Sequence, residues 1–493
     1  MIFNSTAYAF FLFIIFILYW LVPTKKVSIQ NVLLLTASYF FYAWWDIRFL
    51  GLIVLTSTVD FTSSFFLSKT KTNWKRILWL ITSLSINLGL LFYFKYFNFL
   101  IDTVNYFLNE FNSPTQYSFK DIILPIGISF YTFQSLSYTI DVYRKKIDAI
   151  QNPITYFVFV SFFPQIAAGP IEKASDLLTQ FKNKRIFNTG QIKEGLRLIL
   201  WGVFKKVVVA DMLATYVDVV YSSPNNYTGL SSIFAALFFT LQLYCDFSGY
   251  SDMAIGSGKL LGFKLTKNFN TPFFAKTMNE FWTRWHITLN TWFRDYIYIP
   301  LGGNRNGKFH RYKNIFIVFL ISGLWHGASW KFVFWGVFHG IILIIELLTK
   351  DSIFSIKKIN KLIKNNTAIN VFHSVKVFLI YAFSLIFFRA NTFADAVTTI
   401  KNIPIQLSYQ LSSFENFKNE ILYLFLDIRE FITVILTIIL FVSLDFIWRK
   451  RGIEKELENK TKQKRWIIYY ALILIIFLVG EIDDASSFVY FQF

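Results

Sequence analysis

The chain has 493 residues, 55% hydrophobic and 20% aromatic, with only 16% charged and a mean hydropathy of +0.45. A soluble protein of that length carries far more charge, so the composition excludes a soluble globular class and favours one polytopic membrane domain over residues 1–493. The net charge of +19 comes with no soluble basic domain, which excludes nucleic acid as a partner and reads as Lys and Arg gathered in cytoplasmic loops.

In chain order, apolar runs long enough to cross about 30 Å of hydrocarbon fall at 7–22, 28–44, 49–67, 77–99, 121–141, 194–219, 229–248, 314–329, 331–349, 371–388, 426–447 and 466–480. A further run, 153–169, is broken by Pro164, Gly169 and Pro170 and reads as re-entrant. The expectation is an all-α polytopic membrane protein of about 11–13 transmembrane or re-entrant helices. The first run lacks a basic leader and a small-residue cleavage site, so it reads as a membrane helix, not a cleaved signal.

Basic clusters at Lys25-Lys26, Lys69–Arg76, Arg144–Lys146, Lys182–Arg185, Lys350–Lys364 and Arg449–Arg465 place those loops in the cytoplasm. Loops 101–120, 220–228 and 389–420 and the acidic stretch Glu481–Asp484 read as external, and both termini fall outside.

Residues 249–313 are the exception. They are too polar to span, rich in aromatics, and carry ten Lys/Arg against three Asp/Glu, which makes them a cytoplasmic-side interfacial segment. Within it, 278–297 reads as one amphipathic helix, with Glu280, Arg284, Thr288, Thr291 and Asp295 on one stripe. His286 falls on the apolar side. Residues 314–349 follow as a helical hairpin.

The chemistry-bearing residues are few. There are five histidines, and two of them follow tryptophans: Trp285-His286 and Trp325-His326-Gly327. An ionisable ring in apolar sequence is costly and usually faces a cavity or partner. Desolvation keeps such a ring neutral and able to accept a proton. His326 therefore reads either as a general base for an acceptor hydroxyl or as a histidine that only packs on a neighbouring helix. His286 reads as a residue that positions the acceptor, stabilises an oxyanion or relays a proton, or as part of an interfacial aromatic belt. His339, thirteen residues beyond His326, reads as packing, and His310 and His373 as loop or helix-end residues.

Asp246 and Asp252, in Asp246-Phe247-Ser248-Gly249-Tyr250-Ser251-Asp252, read as two carboxylates at a helix end, orienting a histidine, binding a cation, or capping a turn. Lys205-Lys206 sit in the middle of an apolar run: either they face a polar cavity or the helix starts later. No metal-ligand spacing, phosphate loop, Ser-centred elbow or dinucleotide fingerprint occurs, and the single Cys245 excludes a disulfide framework. The two halves show no inverted symmetry, which disfavours a secondary transporter.

Seven collinear motifs carry a resemblance over nearly the whole chain: Leu124–Gln134, Phe163–Ile171, Asp246–Asp252, Phe281–Leu289, Tyr298–Gly303, Gly323–Gly327 and Phe488–Phe493. On them the chain resembles the membrane-bound O-acyltransferase (MBOAT) superfamily, in its bacterial alginate O-acetyltransferase-like branch. The resemblance implies a funnel-like bundle with His326 as catalytic base and His286 as a second essential histidine. It assigns Trp325, Trp285, Arg284, Trp282, Asp246, Asp252 and His339 to the lining of the acyl-donor path or tunnel. It further implies acyl, most simply acetyl, transfer from a cytosolic thioester such as acetyl-CoA to an extracytoplasmic glycan. No resident cofactor or metal is expected. An extracytoplasmic partner acyltransferase and a bacterial cytoplasmic membrane location go with that role.

The sister branch, which D-alanylates teichoic acids from a carrier protein, shares the Trp-His-Gly and the aromatic tail; the added length at 350–465 favours the alginate-like side. A transporter or flippase for a lipid-linked sugar explains the spans but not segment 249–313. A lipid-directed acyltransferase would use the same chemistry on an acceptor in the bilayer plane.

Overall fold

The computed structural model describes residues 1–166, 169–349, 366–481 and 488–489. Ala167-Ala168, the basic stretch Lys350–Lys364, Ile482–Asp484 and Tyr490–Phe493 lie outside the described residues. No strand occurs among the described residues, and the chain is an all-α multi-pass membrane protein. Among the described residues, six helices are long and apolar enough to cross a membrane: Ile47–Lys69, Asn73–Glu110, Leu230–Leu260, Trp330–Thr349, Thr367–Arg389 and Ile428–Trp448. Thr6–Leu21, Val27–Ala43 and Pro153–Ile166 are shorter apolar helices. Gly307–His326 and Lys462–Val479 each open with three basic residues, which suit an interface better than hydrocarbon.

The chain divides into two compact units. The first comprises Met1–Leu196 and Met253–Thr266. Its helix Ile128–Tyr143 is buried at every position except Ile140 and Tyr143, as expected for a helix enclosed by others. The expected break after residue 153 is present. Helix Pro153–Ser161 ends, Phe162 leaves helical geometry, and Phe163–Ile166 forms one further turn. An unbroken helix would direct the Phe163 N–H to the Phe159 carbonyl. It donates instead to Ser38 Oγ at 3.1 Å, and the Phe159 carbonyl accepts from Gln134 Nε2 at 2.6 Å and Gln165 Nε2 at 2.8 Å. Side chains thus satisfy the backbone groups that the break sets free. Arg185, read from sequence as a loop charge, is buried; it donates to Tyr19 Oη at 2.8 Å and Asn31 Oδ1 at 2.7 Å.

The second unit comprises Arg197–Asp252 and Lys267–Phe493. Three sequence expectations are corrected here. The helix drawn to 248 continues to Leu260, so Asp246 and Asp252 sit inside it and not at its end. The single amphipathic helix over 278–297 is two, Met278–Arg284 and Ile287–Phe293, because His286 between them takes a left-handed backbone conformation (φ 43°, ψ 54°) that ends any right-handed helix. The stripe from Glu280 to Asp295 therefore does not form one face. The run through Lys205-Lys206 does not start late. It is helical throughout, with wider turns over Phe204–Ala210, and both lysines are buried against carboxylates.

Candidate active site

All the histidine chemistry lies in the second unit. Helices Gly307–His326 and Trp330–Thr349 form a hairpin, joined at Gly327–Ser329. Two glycines let them touch along their backbones. A Cβ on Gly336 would stand 2.3 Å from the Phe319 carbonyl oxygen and 3.1 Å from Gly323 Cα; one on Gly323 would stand 2.3 Å from the Phe332 carbonyl oxygen. We expect Gly336→Ala to force the helices apart, costing roughly 1–3 kcal/mol and lowering the melting temperature; an unchanged melting curve would show that the hairpin tolerates the extra methyl.

His326 is the last residue of its helix and is buried. Aromatic rings hold it on three sides: Trp325 at 4.9 Å, Trp335 at 4.9 Å and Phe388 at 5.5 Å between centroids. His339 lies one turn beyond Trp335 on the second helix. Its ring is 4.8 Å from Trp335, and its Nε2 is 2.9 Å from Ser384 Oγ. Trp282 closes the group edge-on, 5.7 Å from Trp335 and 5.0 Å from His339.

His286 reaches the same group from another direction. Around it, the Ile287 N–H donates to the Asn268 carbonyl at 2.9 Å, Thr288 Oγ1 donates to Asn268 Oδ1 at 2.9 Å, and Asn290 Nδ2 donates to the Trp285 carbonyl at 2.6 Å. These bonds hold the left-handed residue in place. Its ring packs on Phe247 at 4.8 Å and on Trp325 at 5.9 Å. Trp325 is therefore a neighbour of both histidines. His286 lies outside the membrane-spanning helices, and burial pushes its imidazole down to about 3. At neutral pH it is an uncharged ring.

The structure thus brings together His326, His286, Trp325, Trp282 and His339. Trp285 lies next to His286 in chain, within an aromatic cluster of Phe269, Phe281 and Tyr381. Three of the sequence candidates have their charges taken elsewhere. Arg284 is paired with Glu280 at 2.5 Å. Asp252 is paired with Lys205 at 2.7 Å. Asp246 is paired with Lys206 at 2.9 Å, and Lys206 also binds Asp211 at 2.7 Å. Asp246 Oδ2 further accepts the Val489 N–H at 2.8 Å. That bond seats Phe488 on Tyr250 at 4.4 Å and on Phe247 at 5.6 Å, and Phe247 in turn contacts His286.

Sequence reasoning missed Trp335 and Phe388 as neighbours of His326. The available signal was the Trp335-Gly336 pair: a glycine that allows close helix approach puts the preceding large ring at the seam.

Residues 143–388 match the family model described as MBOAT, membrane-bound O-acyltransferase family. That range contains His286, His326 and His339. The chain is 36% identical over its whole length, and the whole of the relative, to the "Probable alginate O-acetylase AlgI" of Pseudomonas putida. It is 34% identical, over 85% of this chain and 84% of the relative, to the "Peptidoglycan O-acetyltransferase" of Helicobacter pylori. It is 28% identical, over 47% of this chain and 59% of the relative, to the "Teichoic acid D-alanyltransferase" of Streptococcus thermophilus.

Proposed function

The chain belongs to the membrane-bound O-acyltransferase family and is an O-acyltransferase, and from that premise we propose that it carries an acetyl group from cytosolic acetyl-CoA toward hydroxyls of an extracytoplasmic polysaccharide or other cell-envelope glycan. The observation that carries the reading is the convergence of His286 and His326 on Trp325 inside an aromatic enclosure. Water-poor surroundings keep a histidine neutral and strengthen every hydrogen bond to a developing charge.

In this reading His326 takes the proton of the acceptor hydroxyl as its oxygen attacks the thioester carbonyl carbon. The C–O bond forms, and the carbonyl oxygen becomes an oxyanion stabilised by His286 and by indole N–H groups. Trp282 and Trp335 each bury an Nε1–H that has no hydrogen-bond partner among the described residues. The tetrahedral intermediate collapses, the C–S bond breaks, and His326 returns its proton to the leaving thiolate. The basic segment 249–313 draws the phosphate-bearing donor from the cytoplasmic side of a bacterial inner membrane. An extracytoplasmic partner acyltransferase completes delivery to the glycan.

Acetyl is favoured over D-alanyl because relatives named as O-acetyl enzymes align over most or all of this chain, whereas the D-alanyl relative aligns over less than half. The deciding experiment presents detergent-purified protein with acetyl-CoA labelled on the acetyl group, beside a His326→Ala control. Label released or transferred only by the native chain is the expected result. Turnover with an acyl-loaded carrier protein but none with acetyl-CoA would move the donor to the carrier class. Silence with both donors, with acceptor and partner present, would overturn the mechanism in favour of transport.

A further inference from the structure

One buried histidine of the second unit takes no part in the acyl-transfer reading. His373 lies on helix Thr367–Arg389, is 3% exposed, and has no hydrogen-bond partner for either ring nitrogen among the described residues. In either neutral tautomer one of those nitrogens carries a proton, and a buried donor without an acceptor costs free energy. Two positive charges act on the ring, those of Lys276 and Lys376. Lys376 stands one turn further along the same helix and is exposed. Lys276 follows the short turn Pro272–Phe274, whose Phe273 packs edge-on against Phe378 of that helix at 5.0 Å. The acids beside this loop are engaged: Glu280 holds Arg284 at 2.5 Å and accepts the Lys276 N–H at 2.8 Å, and Glu346 accepts the Met278 and Asn279 N–H groups at 2.7 and 3.3 Å. Neither ammonium is paired with a carboxylate among the described residues.

The helix face that carries His373 leads to the histidine cluster. It continues through Val377, Tyr381, Ser384 and Phe388, none more than 2% exposed. Tyr381 packs on Trp285 at 5.1 Å, Ser384 binds His339 at 2.9 Å, and Phe388 lies 5.5 Å from the His326 ring. His373 and Phe388 are fifteen positions apart, about 22 Å along the helix axis. That is of the order of the arm that separates phosphate from sulfur in a phosphopantetheine thioester. The basic stretch that precedes this helix in sequence puts its His373 end on the cytoplasmic side.

We propose that Lys276, Lys376 and His373 form the subsite for a phosphate of the thioester donor, at the end of helix Thr367–Arg389 remote from His326. Resting on the acetyl-CoA reading above, this subsite extends it to named residues. Two ammoniums without carboxylate partners match the charge of a phosphate, and a phosphate oxygen gives the His373 N–H the acceptor that the protein does not supply. A donor held there by its phosphate and laid along the helix face brings its thioester to the level of His326. A phospholipid headgroup offers the same phosphate chemistry; the continuity of the face from His373 to Phe388 favours the donor.

The test is equilibrium binding of CoA, and of pantetheine, which lacks the phosphates, to the full-length detergent-solubilised chain. CoA is expected to bind the native chain more tightly than pantetheine, by a margin that shrinks as salt rises. Lys276→Gln combined with Lys376→Gln is expected to weaken CoA binding by about tenfold or more and to leave pantetheine binding and the melting temperature unchanged. His373→Leu is expected to weaken CoA binding about fivefold, and His373→Gln, which keeps a neutral N–H donor, to restore it. In acetyl release the double lysine variant should raise KM for acetyl-CoA with kcat unchanged. Variants that bind CoA as tightly as the native chain would overturn the subsite and leave the acetyl-CoA reading standing; a native chain that binds no CoA would overturn both. Equal CoA binding in native and variant chains, with a melting temperature that anionic phospholipid raises only in the native chain, would assign the lysines to a lipid headgroup and overturn the donor subsite.

Discussion

His326→Ala is expected to lower acyl transfer by about a thousandfold while the protein still inserts and folds. Removing a positioned general base costs on the order of 10²–10⁴ in rate. The enclosure around this ring is built from Trp325, Trp335 and Phe388, which pack on it as aromatic rings. The truncation leaves a cavity bounded by large rings, so the melting temperature should fall modestly and the rate steeply. His286→Ala is expected to cost less, because a lost oxyanion donor typically removes about 10²–10³. His339→Ala should stay within about tenfold, since its ring is committed to Ser384 at 2.9 Å and reaches the reacting groups only through its contacts with Trp335 and Trp282. Labelled acetyl release, normalised to folded protein, ranks the three. If His326→Ala keeps the native rate while His339→Ala loses it, the base is His339 and the hairpin has been read from the wrong end.

The largest stability effect is expected at Lys206. Its ammonium is fully buried between Asp211 at 2.7 Å and Asp246 at 2.9 Å. Removing one partner of a buried ion pair costs about 3–5 kcal/mol, because the charge left behind is desolvated and uncompensated. Lys206→Met should therefore lower the melting temperature sharply. The effect should also reach the active site. Asp246 holds Val489, whose neighbour Phe488 presses on Phe247, and Phe247 packs against His286. Acyl transfer should fall even in the folded fraction. The double variant Lys206→Met with Asp246→Asn should lose less than the sum of the two single changes, the sign of a direct coupling. A Lys206→Met protein as stable as the native chain would show that the cluster is hydrated and not a buried pair.

The two sets of charges in the second unit illustrate what a linear reading sees. Lys205 and Lys206 stood out because charge in an apolar run is costly. Asp246 and Asp252, forty-odd positions later, stood out as two carboxylates at an expected helix end. Nothing in either stretch alone says that Lys205 reaches Asp252 and Lys206 reaches Asp246. The pairing is a property of two helices side by side. The same holds for the glycines. Gly323 and Gly336 are ordinary small residues in apolar runs until the hairpin brings each against the other helix's backbone.

Composition and hydropathy were sufficient for the all-α multi-pass class, because a bilayer demands long apolar helices whatever their neighbours. The local motifs were sufficient for the family, and they singled out the two histidines that follow tryptophans. The His326 hairpin was also legible, since both its helices and its turn are contiguous in sequence. Three features came only with the tertiary structure. The left-handed His286 splits an amphipathic pattern that period counting reads as continuous, and Asn268, eighteen residues earlier, holds it there. Trp335 bridges His326 and His339, which one helix would have pointed apart. Asp60, buried on helix Ile47–Lys69, finds its polar neighbours Ser83, Asn87 and Ser135 on two other helices. The physical reason is common to all three. Burial and periodicity are local demands that each segment must meet alone, whereas ring contacts, ion pairs and hydrogen bonds are settled between residues far apart in the chain, once the helices have packed.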